Sequence, residues 1–200
     1  MAIVIRVNRA PVLTLWAAIV AERLGYPLET ALTLGRFVAG SSARAKARRL
    51  GMVQEIEETE EMAEWREKRR ETQARLKSVR PLGCEIPVLP VADGSLRAAE
   101  GGKPAAARSV AGYVARAFGD RLADVRAAME ELAASMPREE LNRIGFRPYE
   151  TFRPSVPEGV TGWGAKAELR LDRIRQAARY LWCHARDRCL TTGEAPARPA

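Results

Sequence analysis

Residues 9–40 read RAPVLTLWAAIVAERLGYPLETALTLGRFVAG. From Pro11 onward apolar side chains return at spacings of three and four, at Leu13, Trp16, Ala17, Val20, Ala21 and Leu24. That is the period of a helix face. Pro11 suits the first turn, where its missing N–H is not needed, and Gly25 suits the C-terminal cap, where φ turns positive. After Tyr26 and Pro27 the pattern resumes at Leu28, Ala31, Leu32, Gly35 and Val38. The spacing predicts a second helix that breaks or bends near Gly40, Ser41 and Ser42. Two helices joined by a glycine turn set the expected fold class: mainly α, built on helix-turn-helix-like hairpins.

The same arrangement occurs again further along the chain. Val20-Ala21-Glu22-Arg23-Leu24-Gly25-x-x-Leu28-x-x-Ala31 aligns with Val114-Ala115-Arg116-Ala117-Phe118-Gly119-x-x-Leu122-x-x-Val125. A small residue lets two helices approach, glycine four positions later makes the turn, and a further apolar residue packs the second helix back. This spacing is that of a DNA-binding helix-turn-helix, and equally of a hairpin that serves only as core. The positions that would face base edges, Pro27, Leu28, Glu29, Leu32 and Thr33, are mostly apolar or acidic, whereas base reading calls for Arg, Lys, Asn or Gln. A sequence-specific reader is therefore disfavoured.

Outward from these hairpins, Ile3, Ile5 and Val7 alternate with Val4 and Arg6, which predicts a short strand or extended arm. Residues 54–80 concentrate six acids from Glu55 to Glu64 and then seven bases from Arg66 to Arg80, without a continuous apolar seam. They read as a charged helix or linker. Between Pro81 and Pro104 the β-branched, proline-interrupted run IPVLPV and the Asp93-Gly94 pair predict a small β-hairpin, a candidate wing. Helices are expected over Ala106–Phe118, Arg121–Met136 and Arg138–Phe152, and a last one from Lys166 or Leu171 to Cys189. The expected division is an arm and hairpin over 1–53, the charged segment 54–80, a hairpin-plus-helices part over 81–190 and a disordered tail over 191–200.

The 200-residue chain carries 33 Lys plus Arg against 25 Asp plus Glu, for a net charge of +8. Residues 1–50 hold eight bases and two acids, and residues 151–200 hold nine and five, so the excess lies at the two ends. A basic surface favours an anionic partner. The tract after the first hairpin supplies Arg36, Arg44, Lys46, Arg48 and Arg49, and the C-terminal quarter supplies Lys166, Arg173 and Arg175. These are the candidate phosphate contacts, with DNA expected ahead of RNA. Phe-Arg-Pro occurs at both 146–148 and 152–154, and aromatic plus arginine is the composition of a base-stacking platform. Tyr149 and Trp163 are the candidate stacking residues. The same composition suits a helix end docked on a core.

Other chemistry finds little support. One histidine, His184, removes most nucleophile-activating arrangements. Cys183, His184 and Cys189 are too closely spaced on one helix to converge on a metal, so no metal or cofactor is expected. Three cysteines without a paired framework argue against a disulfide scaffold. The longest apolar run, Val12 to Ala21, falls short of the ~20 residues a span requires, so no membrane partner is expected. The loop from Gly159 to Lys166 has flexible backbone and a lysine before a helix, as an anion cradle would, but lacks the Walker spacing. It reads mainly as a structural turn.

The blocks RAPVLTLWAAIVAERLGYPLETALTLGRFVAG and FRPYETFRPSVPEGVTGWGAKAEL (Phe146–Leu169) together resemble a group of uncharacterised bacterial and fungal proteins that share both. The resemblance extends over about Arg9 to Arg175, is weakest over 54–79, and implies a common fold without carrying over any catalytic residue. The residues themselves lead to a cytoplasmic, non-catalytic protein that binds double-stranded DNA with little sequence specificity. Two alternatives stand beside it: a helical module for self-association, such as a homodimer, or for protein interaction, and an enzyme acting on a small phosphorylated ligand held by Gly159–Lys166.

Overall fold

The interior is organised around one helix. The computed structural model describes residues 3–51, 59–156, 158 and 167–179. Helix α1 (Arg9–Arg23) is buried at every position from Pro11 to Ala21. The three-and-four stripe therefore captures only part of it. Val12, Leu15, Ala18 and Ile19 lie off the stripe yet are buried too, as a helix that is apolar all round must be. The one hydroxyl in this run is satisfied internally, Thr14 Oγ1 donating to the Ala10 carbonyl at 2.8 Å.

Gly25, at φ +101°, reverses the chain, and α2 (Leu28–Arg49) then packs along α1. The approach is close because Gly35 has no side chain. A Cβ there would overlap the Thr14 carbonyl oxygen and the Ala18 backbone. The expected break near Gly40 does not occur, and α2 runs unbroken to Arg49. Buried Val38 and Ala39 anchor it on one side of Gly40, and the Ala, Arg and Lys residues that follow are strong helix formers. Gly51, at φ +63°, ends the helix, its N–H bonded to the Arg48 carbonyl.

Helix α3 (Glu60–Ala74) makes no substantial contact with another element among the described residues. The chain then forms an antiparallel meander of β2 (Ser78–Val79), β3 (Ile86–Pro90), β4 (Leu96–Glu100) and β5 (Lys103–Pro104), in that order. The expected hairpin is its central pair, turned at Gly94 with φ +78°. It lies against α2 with little projection. The Ala98 N–H donates to Thr33 Oγ1 at 3.1 Å, and the guanidinium of buried Arg97 pairs with Glu29 of α2 and, at 3.6 Å, with Asp93.

The second copy of the repeat is also a helical hairpin, α4 (Ala107–Phe118) and α5 (Leu122–Ala134), turned at Gly119 with φ +54°. Its two helices touch each other sparingly, while both contact α1. The single helix expected over Arg138–Phe152 is split into α6 (Arg138–Ile144) and α7 (Phe146–Phe152). The split falls at Gly145, where a side chain would collide with Leu82 and the Leu141 carbonyl. Leu82 itself sits at φ +55°, its N–H donating to Asn142 Oδ1 at 2.9 Å.

The N-terminal arm, β1 (Val4–Arg6), finds an antiparallel partner in β6 (Glu168–Arg170), with Ile5 opposite Leu169. Residues 171–179 follow as helix α8. The two blocks that carry the resemblance meet in space. Trp16 Nε1 donates to the Gly145 carbonyl at 2.8 Å, its ring lies edge-on to Phe152 at 5.5 Å, and Arg9 Nε donates to the Pro154 carbonyl at 2.8 Å. One buried cluster runs from Ile5 to Ala178, drawing on both sides of the charged segment. The molecule is thus mainly helical with small antiparallel sheets. No described helix is long and apolar enough to cross a membrane.

Candidate nucleic-acid interface

The middle of α2 is enclosed, Ala31 to Gly35 being buried against α1, α4 and β4. This is the part that would enter a groove in a helix-turn-helix reader, and it is core here. From Ser42 to Lys46, and again from Arg48 to Leu50, the helix is exposed. Its last two turns, 42–49, are thus largely exposed.

At 3.6 residues per turn, Arg36, Arg44 and Arg48 fall within about 120° of one another, while Lys46 and Arg49 lie on the opposite flank. Between the flanks stand Ala45 on one side and Ala43 on the other. The consecutive tract in the sequence is therefore a rod with cations on two sides and methyl groups between them. None of the five is ion-paired to a carboxylate among the described residues. Among the described residues Arg44 donates only to Ser41 Oγ, at 3.3 Å. Some bases elsewhere are paired with acids, Arg126 bridging Glu22 at 2.6 Å and Glu130 at 2.7 Å, Arg80 meeting Glu85 and Arg153 meeting Glu150.

Arg36 lies 5.0 Å above the centroid of the Tyr113 ring, a cation–π arrangement that holds the guanidinium at the surface. Tyr113 also lines a small cleft with Arg6, Asn8 and Arg116. Basic character therefore continues from α2 across α4 toward β1. Tyr113 was not among the residues singled out from the sequence, since nothing local distinguishes it; its significance comes from the packing of α4 on α2.

The remaining sequence candidates fall elsewhere. Arg173 and Arg175 are exposed on α8, beside α6–α7 and Ile3 respectively, and no described contact or groove joins them to α2. Asp172 stands next to them, its carboxyl held below the ordinary range by a hydrogen bond from Arg170. Tyr149 is corrected as a stacking residue. It is only 5% exposed and packs edge-on to Phe152 at 5.7 Å, so its ring is part of the core. Burial pushes its hydroxyl up to about 12. Lys166, Trp163 and the Gly159–Lys166 loop lie outside the described residues, as do Cys183, His184 and Cys189. Among the described residues no group of His, Cys, Asp and Glu is arranged to hold a metal. No protein-family model, curated protein or solved structure matches the chain.

Proposed function

We propose that this protein binds double-stranded DNA without marked sequence preference, in a cytoplasmic setting, by laying the exposed end of α2 against the phosphate backbone. The observation that carries this reading is the two-flanked rod of Arg44, Arg48, Lys46 and Arg49, none of them neutralised by a carboxylate among the described residues. A helix is about 10–12 Å across with its side chains, and the major groove is about 12 Å wide, so cations on opposite flanks meet phosphates on both walls. The alanines between them have no hydrogen-bonding group for a base edge. Affinity without specificity follows, supplied by released counterions.

Fluorescence anisotropy with labelled duplex DNA tests it. Binding at ~50 mM salt should weaken by orders of magnitude at ~200 mM. It should be lost when Arg44, Lys46, Arg48 and Arg49 are all replaced by alanine. Salt-insensitive binding, or full binding by the quadruple variant, would refute the reading.

A second reading, a protein-interaction arm, is favoured by α3, which among the described residues packs on no other element substantially and exposes Met62 and, at 63%, Trp65. Light scattering on the intact chain and on Trp65→Ser separates the two: self-association through α3 gives a mass above the monomer that the variant loses.

A further inference from the structure

A groove of about 530 Å³ runs between the middle of α2 and the β4–β5 turn. Its volume lies within the range of ligand sites. The floor is made by Gly40, Ala98, Ala99, Gly101 and Ala105, none larger than a methyl group. Interior packing ordinarily fills such a space with side chains. Here the surrounding backbones are held in place by the Ala98 N–H to Thr33 Oγ1 bond and by the Ala105 N–H to Ala98 carbonyl bond at 2.9 Å, and the space above them stays open.

The chemistry of the walls is directional. Arg36 and Arg44, both without a carboxylate partner among the described residues, stand on the helix side. Arg36 lines the groove at its edge toward α4, where its guanidinium also rests over the Tyr113 ring. Phe37, half-buried, also lines the groove and offers ring surface there. At the sheet end Glu100, which stands opposite Lys103 in the β4–β5 ladder, supplies an acceptor. Two guanidiniums, an aromatic face and one carboxylate acceptor within this volume match a phosphate, a planar base and a ribose or amino donor.

We propose that the groove between α2 and β4–β5 binds a nucleotide unit, with its phosphate on Arg36 and Arg44, its base against Phe37 and its hydroxyl or amino donors on Glu100. This goes beyond the duplex reading and shares with its four-residue rod only Arg44. The unit is either a free nucleotide or one residue of a single strand.

Isothermal titration of the full chain with adenosine and cytidine 5′-monophosphate, inorganic phosphate and a short single-stranded oligonucleotide tests it. Gly40→Leu is the decisive variant. A Cβ at Gly40 meets only the Arg44 guanidinium, at 3.7 Å, so leucine is accommodated by the helix and its branch occludes the groove. Saturable binding of a monophosphate, weaker for phosphate alone, lost in Gly40→Leu and reduced roughly tenfold or more by Arg36→Ala, supports the site and names a free nucleotide. Binding of the oligonucleotide alone, with the same dependence on Gly40, supports it and assigns the unit to a strand. No binding of either, equal binding of phosphate, or binding that survives Gly40→Leu overturns it. If Gly40→Leu does not fold by circular dichroism, Ala105→Leu closes the groove from the sheet side and is read the same way. Arg48→Ala/Arg49→Ala should weaken duplex binding and leave nucleotide binding within about twofold, because neither residue lines the groove, so each proposal can fail alone.

Discussion

Gly35 and Gly40 stand on the same helix with opposite roles. At Gly35 the α1 backbone fills the position of a Cβ, so Gly35→Ala should cost roughly 2–3 kcal/mol by forcing the helices apart. Chemical denaturation would register it as a lower midpoint with an unchanged slope. At Gly40 a Cβ enters the open groove, and Gly40→Ala should stabilise the protein by about 0.5–1 kcal/mol, as expected for an unobstructed helical site. The sequence presents both as small residues in a helical pattern, and only the neighbour distinguishes them. Tyr149 is a similar case. Its ordinary value of 10.0 is pushed up to about 12 by burial, so between those values the unfolded chain ionises while the folded one does not. The folded pKa is the higher one. Its contribution is therefore complete below about pH 10 and is lost as pH rises toward 12, a fall on the order of 2 kcal/mol. Denaturation curves collected across that window should show this component, and Tyr149→Phe should remove it.

At the scale of elements, the α6–α7 split was not legible in the sequence because its cause lies more than fifty residues away. Leu82 presses on Gly145 from the turn at Pro81–Gly83, and Asn142 holds Leu82 in its left-handed conformation through the N–H. Asn142→Ala should leave that buried donor unpaired and cost about 1–3 kcal/mol. Asn142→Asp keeps an acceptor and should recover most of the loss; equal thermal midpoints for the two variants would argue against the bond. The continuous α2 has a different lesson. Gly40, Ser41 and Ser42 are weak helix formers, but burial of Val38 and Ala39 on one side and alanine-rich sequence on the other outweigh a local preference of about 1 kcal/mol. The two turns at Gly25 and Gly119, by contrast, were legible, since each requires positive φ where glycine stands.

For the whole molecule, the net charge of +8 matters less than its distribution. Among the described residues carboxylates pair with Arg97, Arg126 and Arg153 and with none of the cations of the α2 rod. In the duplex-binding assay the slope of log K against log salt should fall by about 0.9 for each phosphate contact removed, hence by about 2 for Arg48→Ala/Arg49→Ala. Changing Arg173 and Arg175 to alanine should alter it little, because α8 is not joined to α2 by any described contact.

The sequence by itself determined what depends on local period and backbone freedom: two glycine-turned helical hairpins, a β-hairpin turned at Asp93-Gly94, and a basic tract after the first hairpin. These are decided within a few turns of chain. Tertiary structure alone decided that α1 is covered on every side, that Tyr149 belongs to the core, that Arg36 rests on Tyr113, and that α2 and β4–β5 leave a groove between them. Each of these depends on which surfaces meet, and that is set by close packing between segments far apart in the chain, where a missing side chain at Gly35 or Gly40 means contact in one place and open space in the other.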